Sequence, residues 1–96
     1  MTTGANTAES NSVPRLPRGV RLKYDKIRAE WLLLAPERVI KADAIAVEIL
    51  KRCDGTATLS AIVDELARQF SADRTRIESD VKALLIELAA KRMVDL

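Results

Sequence analysis

Residues 31–41 read Trp31-Leu32-Leu33-Leu34-Ala35-Pro36-Glu37-Arg38-Val39-Ile40-Lys41. The run Trp31 to Leu34 is aromatic and branched, the composition of a buried strand. Pro36 is a poor member of a central ladder, so the chain must turn there. Val39-Ile40 is short and β-branched, and Arg38 and Lys41 flank it as charges flank an edge strand. Arg38 to Lys41 is therefore expected to be the free edge of a small sheet. Such an edge offers unpaired backbone donors and acceptors to another peptide. The same charges also suit an ordinary edge that keeps other chains away, and the pattern alone favours that second reading.

Working outward, Val20-Arg21-Leu22-Lys23-Tyr24 alternates with period two. It reads as a half-buried strand with Val20, Leu22 and Tyr24 inward. Asp25-Lys26 supplies a turn, and the next strand is expected over 28–35, with Ala29, Trp31 and Leu33 on one face and Leu32 and Leu34 on the other. A strand apolar on both faces belongs in the middle of a sheet, covered on at least one side by helices. Beyond the third strand, Asp43 is an N-cap and Gly55 a left-handed terminator, which predicts a first helix over 44–54 carrying Ile45, Ile49, Leu50 and Cys53. Thr58 caps a second helix whose stripe is Leu59, Ile62, Val63, Leu66, Ala67 and Phe70. A third helix starts near Asp73 or Thr75, where Thr75 to Glu78 matches a capping box. Its stripe is Ile77, Val81, Leu84, Leu85 and Leu88, and Met93, Val94 and Leu96 are expected to pack back on the core. The fold class predicted is α+β: a winged-helix-like domain over 18–96, a three-stranded antiparallel sheet followed by three helices. Residues 1–17 have little apolar content and are expected as a disordered tail or interdomain linker.

Composition narrows the chemistry. The 96 residues suffice for one domain, and 48% hydrophobic with 31% charged residues is a globular profile. No apolar run approaches the roughly 20 residues of a spanning helix, and the N-terminus lacks the parts of a secretory signal. These features point to the cytoplasm and to no membrane partner. The net charge of +2 is too mild to imply nucleic acid. One cysteine excludes an internal disulfide and a Cys-built metal site, and there is no histidine. The commonest general base and metal ligand are thus missing, so neither a catalytic residue, a cofactor nor a metal is expected.

Among single residues, Cys53 lies on an apolar stripe and reads as a small buried hydrophobe, Trp31 as core, and Tyr24 as a sheet-face residue with a wet hydroxyl. Two binding readings remain. A winged-helix DNA-binding protein would read bases with the first half of its third helix. Arg74 and Arg76 fit that role, whereas Glu78 and Asp80 would repel phosphates. Alternatively, a peptide laid along Arg38, Val39, Ile40 and Lys41 would gain main-chain hydrogen bonds and rest its side chains in an apolar cleft lined from the third helix. Arg38, Lys41, Arg74 and Lys82 would favour acidic residues in that peptide.

The order and spacing of Pro17-Arg18-Gly19-Val20-Arg21-Leu22, Trp31-Leu32-Leu33-Leu34-Ala35-Pro36-Glu37, Lys41-Ala42-Asp43, Glu48-Ile49-Leu50, Asp54-Gly55 and Ile62-Val63 resemble the PqqD family, small proteins of pyrroloquinoline quinone (PQQ) biosynthesis. The likeness runs from about residue 16 to the C-terminus. It implies a non-enzymatic peptide chaperone, a RiPP recognition element that binds the ribosomal precursor peptide PqqA and presents it to the radical SAM enzyme PqqE for Glu–Tyr crosslinking. In related domains the peptide adds to the third strand and rests on the third helix. Carried onto this sequence, the implied contacts are Arg38, Val39, Ile40 and Lys41 on the strand, with Ile77, Asp80, Val81, Leu84 and Leu85 on the helix; the charge pattern adds Arg74 to the expected site. Some members are fused behind the PqqC oxidase, and residues 1–17 suit such a linker. The chain departs from the family pattern in having Asp43 where Asn is common and in lacking an aromatic residue near Met93.

Overall fold

The computed structural model describes residues 8–96. Strands β1 (Arg21–Asp25), β2 (Glu30–Ala35) and β3 (Arg38–Ala42) precede helices α1 (Ala44–Lys51), α2 (Leu59–Gln69) and α3 (Arg74–Ala90). The sheet is antiparallel in the order β1-β2-β3, the α+β architecture expected.

The register carries the packing. Leu22, Leu33 and Ile40 sit opposite one another across the three strands, and Leu33 is only 1% exposed beneath the helices. Leu22 and Ile40 pack beside it at the core margin. Since successive side chains point to opposite faces, Arg38, Ile40 and Ala42 face the helices, while Val39 and Lys41 share the outer face with Leu32 and Leu34. Among the described residues no helix covers that outer face.

Several expected boundaries shift. The β1–β2 turn is longer than expected: Asp25 Oδ1 accepts from the amides of Ile27 (3.0 Å) and Arg28 (3.4 Å), and Ala29 takes a left-handed φ of 54°. Strand β2 therefore begins at Glu30 rather than Arg28. Tyr24, expected inward, is 42% exposed and leans on Trp31 with ring centroids 5.2 Å apart. Trp31 itself is half-buried, with Lys51 Nζ 5.3 Å from its ring centroid, so this pair edges the core instead of filling it. Helix α1 stops at Lys51 with Arg52 as its C-cap, three residues earlier than Gly55 predicted. Gly55 keeps its left-handed φ of 82°, but in the following loop, where its amide donates to Pro14 O (3.1 Å). Thr58 caps α2 as expected. Helix α3 is capped by Asp73, and the capping box at Thr75 does not form: Glu78 turns instead to Lys82 (3.0 Å) and Arg74 (3.4 Å).

Two arginines brace the helices. Arg52 donates to the Glu48 carboxylate (2.9 Å), to Glu65 and to Gln69 Oε1 (2.7 Å), tying the end of α1 to α2. Arg74 donates to Asp64, to Ser60 Oγ (3.1 Å) and to Glu78, tying α3 to α2. Hydrogen bonding to Arg52 holds the Glu48 carboxyl below its usual range, and bonding to Lys82 does the same for Glu78.

Of the segment expected as a tail or linker, residues 1–7 lie outside the described residues, and residues 8–17 pack on the domain. Ala8 and Pro14 are buried, and Arg15 pairs with Asp95 in both directions (3.0 and 2.8 Å). The carbonyls of Ser12 and Ser10 accept from Leu59 N (2.7 Å) and Ser60 N (3.0 Å). Those amides open α2 and have no partner inside the helix. The strap thus completes the α2 N-terminus beside the Thr58 cap. Deleting residues 1–12 should lower stability by about 1–3 kcal/mol, the worth of two such hydrogen bonds plus a buried alanine. Urea denaturation of the truncated and full chains measures it.

Candidate functional site

The β2–β3 hairpin turns on two residues, Pro36 and Glu37, and Ala35 pairs with Arg38 at its neck. In a two-residue hairpin the neck pair exchanges both backbone hydrogen bonds, and hydrogen-bonded pairs then alternate along the ladder. Arg38, Ile40 and Ala42 consequently spend their backbone groups on β2. Val39 and Lys41 turn theirs outward, along an edge that no other strand of the described residues occupies.

Behind this edge, a cleft of about 270 Å³ opens where β3 runs into α1. Ile45 and Ala46 from α1 and Leu84 from α3 form its walls, Ile49 lies beneath, and Asp43 and Asp80 rim it. Ile45 is 39% exposed, which is unusual for an isoleucine on an otherwise buried stripe. An extended chain added to β3 would drop alternate side chains over Ile40 and Ala42 towards this cleft.

The ten residues expected at the site divide into three groups. Val39 is 62% exposed, Arg38 and Lys41 are exposed, and Ile40 is half-buried; together they form the edge. Lys41 lies 3.7 Å from Glu30 on the outer face. Asp80 and Leu84 reach the cleft. The other four lie elsewhere. Ile77, Val81 and Leu85 are buried in the core, so they hold α3 in place and offer no free surface. Arg74 is engaged by Asp64, Ser60 and Glu78. Lys82 is likewise paired, with Glu78.

Sequence reasoning placed the helical wall on α3 alone and missed Asp43, Ile45, Ala46 and Ile49. The available signal was the position of α1: it starts two residues after β3, so its first turn must flank the strand's end.

Two further features bear on chemistry. Burial raises the Cys53 thiol to about 12, and its Sγ lies 3.3 Å from Ile49 O, which makes it a packing residue. Among the described residues no group of three or more His, Cys, Asp or Glu side chains could hold a metal ion, and no helix is long and apolar enough to cross a membrane.

Comparison with known proteins gives consistent matches. The family model for coenzyme PQQ synthesis protein D (PqqD) matches residues 30–94. The chain is 51% identical over 85 residues to a PqqA binding protein of Rhodopseudomonas palustris strain BisB5, covering 88% of this chain and 83% of that one. It is 45% identical over 91 residues to a PqqA binding protein of Xanthomonas campestris pv. campestris strain B100, covering 95% and 99%. Among solved structures, it matches the solution NMR structure of the PqqD truncation of Methylobacterium extorquens PqqCD, described as a functional and stand-alone RiPP recognition element. That match has a TM-score of 0.83 and 42% identity and covers 96% of this chain and 98% of that one. The crystal structure of PqqD from Xanthomonas campestris matches with a TM-score of 0.60 at 46% identity, covering 94% and 100%.

The buried thiol has a pH consequence. In the unfolded chain Cys53 ionises near its ordinary 9.0, whereas in the fold it keeps its proton to about 12. The folded state therefore binds the proton more tightly. Its contribution to stability is whole below pH 9 and declines as pH rises from 9 towards 12, by at most about 1.4 kcal/mol per pH unit. Subtracting the stability–pH curve of Cys53→Ala from that of the unsubstituted chain should isolate this decline.

Proposed function

The chain belongs to the PqqD family, and on that footing we propose that it is a peptide chaperone of PQQ biosynthesis that binds the precursor peptide PqqA by strand addition along β3. The observation that carries this reading is the outward-facing backbone of Val39 and Lys41 beside the Ile45–Leu84 cleft. Main-chain pairing would supply affinity, and the cleft would select the side chains that follow. The relatives named PqqA binding protein support the ligand, and the recognition element from M. extorquens supports the mode of action.

In this reading the chain does no chemistry itself. It presents PqqA to the radical SAM enzyme PqqE, which forms the crosslink between a glutamate and a tyrosine. The contact surface for the peptide is Arg38, Val39, Ile40 and Lys41 with Asp80 and Leu84, to which the structure adds Ile45 and Ala46. Ile77, Val81 and Leu85 would act from beneath, by fixing the position of α3. The setting is the cytoplasm, and the fusion of PqqC and PqqD named for the M. extorquens protein favours a working association with the PqqC oxidase. The winged-helix DNA reading loses one of its two cations, because Arg74 is held by Asp64, Ser60 and Glu78. Salt separates the two readings as well, since a DNA complex weakens steeply with ionic strength.

Val39→Pro tests strand addition directly. Proline on an edge position whose N–H faces away from the sheet costs the fold little, yet it removes one donor and obstructs the incoming chain. We expect an unchanged far-UV spectrum and at least a tenfold weaker Kd for PqqA, about 1.4 kcal/mol, by isothermal titration calorimetry. PqqE-catalysed crosslinking should fall in parallel. Unchanged PqqA binding by a folded Val39→Pro chain would refute strand addition at β3.

A further inference from the structure

The groove between β3 and α3 carries opposite charges at its two ends. At the hairpin end, a cleft of about 340 Å³ is lined by Arg18, Arg38, Lys91 and Arg92, with Glu37 as the one carboxylate. Lys91 shares its charge with Glu87 (3.0 Å), whereas Arg18, Arg38 and Arg92 have no ion-pair partner among the described residues. At the opposite end, the apolar cleft is rimmed by Asp43 and Asp80, with no cation in its lining.

These two clefts are opposite ends of one groove, because β3 and α3 run antiparallel along it. Arg38 opens β3 and lies with Lys91, just beyond the end of α3. Asp43 follows β3 directly and lies with Asp80, in the second turn of α3. The two walls agree in length. Five residue steps of strand span roughly 17 Å, and the eleven steps of helix from Asp80 to Lys91 also span roughly 17 Å. That separation is about twice the Debye length of some 8 Å at physiological ionic strength. A charge on a bound peptide therefore senses the near cleft and is screened from the far one.

We infer that this charge polarity orients the bound peptide: carboxylate side chains seat in the Arg18–Arg38–Arg92 cleft at the hairpin end, and basic or uncharged residues lie over Asp43 and Asp80. A strand edge by itself accepts a peptide in either direction and in several registers, since main-chain hydrogen bonds carry no sequence information. The charged ends remove that degeneracy by making the reversed peptide place like charges together. Arg38 acts through its side chain here, on the helix-facing side, and independently of the outward backbone of Val39. The inference rests on the strand-addition reading.

Charge exchange on both partners tests it with the full chain and synthetic PqqA. The exposed double substitution Arg38→Glu with Arg92→Glu should weaken binding about tenfold or more and invert its dependence on salt. Replacing carboxylates by lysine near one end of the peptide should restore it. Asp80→Lys should weaken binding, and a glutamate placed near the other end of the peptide should restore it. Affinities within twofold of the unsubstituted chain for the double variant would overturn the polarity, as would rescue of both variants from the same end of the peptide. Failure of the unsubstituted chain to bind PqqA would instead overturn strand addition itself, and the polarity with it.

Discussion

Leu33 pins the sheet to the helices. It is the one strand residue fully withdrawn from solvent, and the period of two propagates its placement to both neighbours. With Leu33 inward, Leu22 and Ile40 must also face in, and a slip of one residue would expose all three. The orientation of β3 follows. Its even-numbered residues address the helices through their side chains, and its odd-numbered residues address solvent through their backbone. The edge that can take a peptide and the groove that can read one are thus two consequences of a single registered contact. Because the helices cover only one face and, among the described residues, nothing pairs beyond β3, the sheet keeps an open edge at the place where a peptide could complete it.

The arrangement of cations serves the same end. Arg52 and Arg74 are consumed in holding α1, α2 and α3 together, each reaching carboxylates on two segments. Such networks fix helix positions even where exposed pairs add little stability singly. Held in this way, α1 and α3 keep Ile45 and Leu84 facing across the cleft. Of the six arginines without a carboxylate partner among the described residues, three, Arg18, Arg38 and Arg92, line one end of the groove.

Strong periodicity and short-range caps were legible in the sequence. The apolar run at 31–34, the break at Pro36, the Thr58 cap and the α2 stripe from Leu59 to Ala67 appear as read, because each depends on neighbours within one or two turns, whereas Phe70, read as the end of that stripe, is the helix C-cap and 39% exposed. What escaped depended on distant segments. Gly55 looks like a helix terminator locally, yet α1 ends earlier with Arg52 as its C-cap, where the Arg52 side chain bonds Glu65 and Gln69 of α2. The capping box at Thr75 loses Glu78 to Lys82 and Arg74. Residues 10–16 show no period because they are held through backbone groups, which a side-chain pattern does not report. In the groove, a helical stripe identifies the face of α3 that is buried but not which of its residues reach the margin. Ile77, Val81 and Leu85 went to the core, and of the apolar stripe Leu84, offset from them, lines the cleft beside Asp80.

The central claim is that one face of the molecule, from β3 across the first turn of α1 to the middle of α3, receives the peptide. An amide-resolved NMR titration of the chain with PqqA addresses it most directly. The account predicts shifts concentrated on residues 38–42, 43–46 and 80–84, with the outward amides of Val39 and Lys41 becoming protected from solvent exchange. Shifts confined to α2 and the first turn of α3, with β3 unaffected, would contradict it and move the site to the face that a winged-helix DNA-binding protein would use.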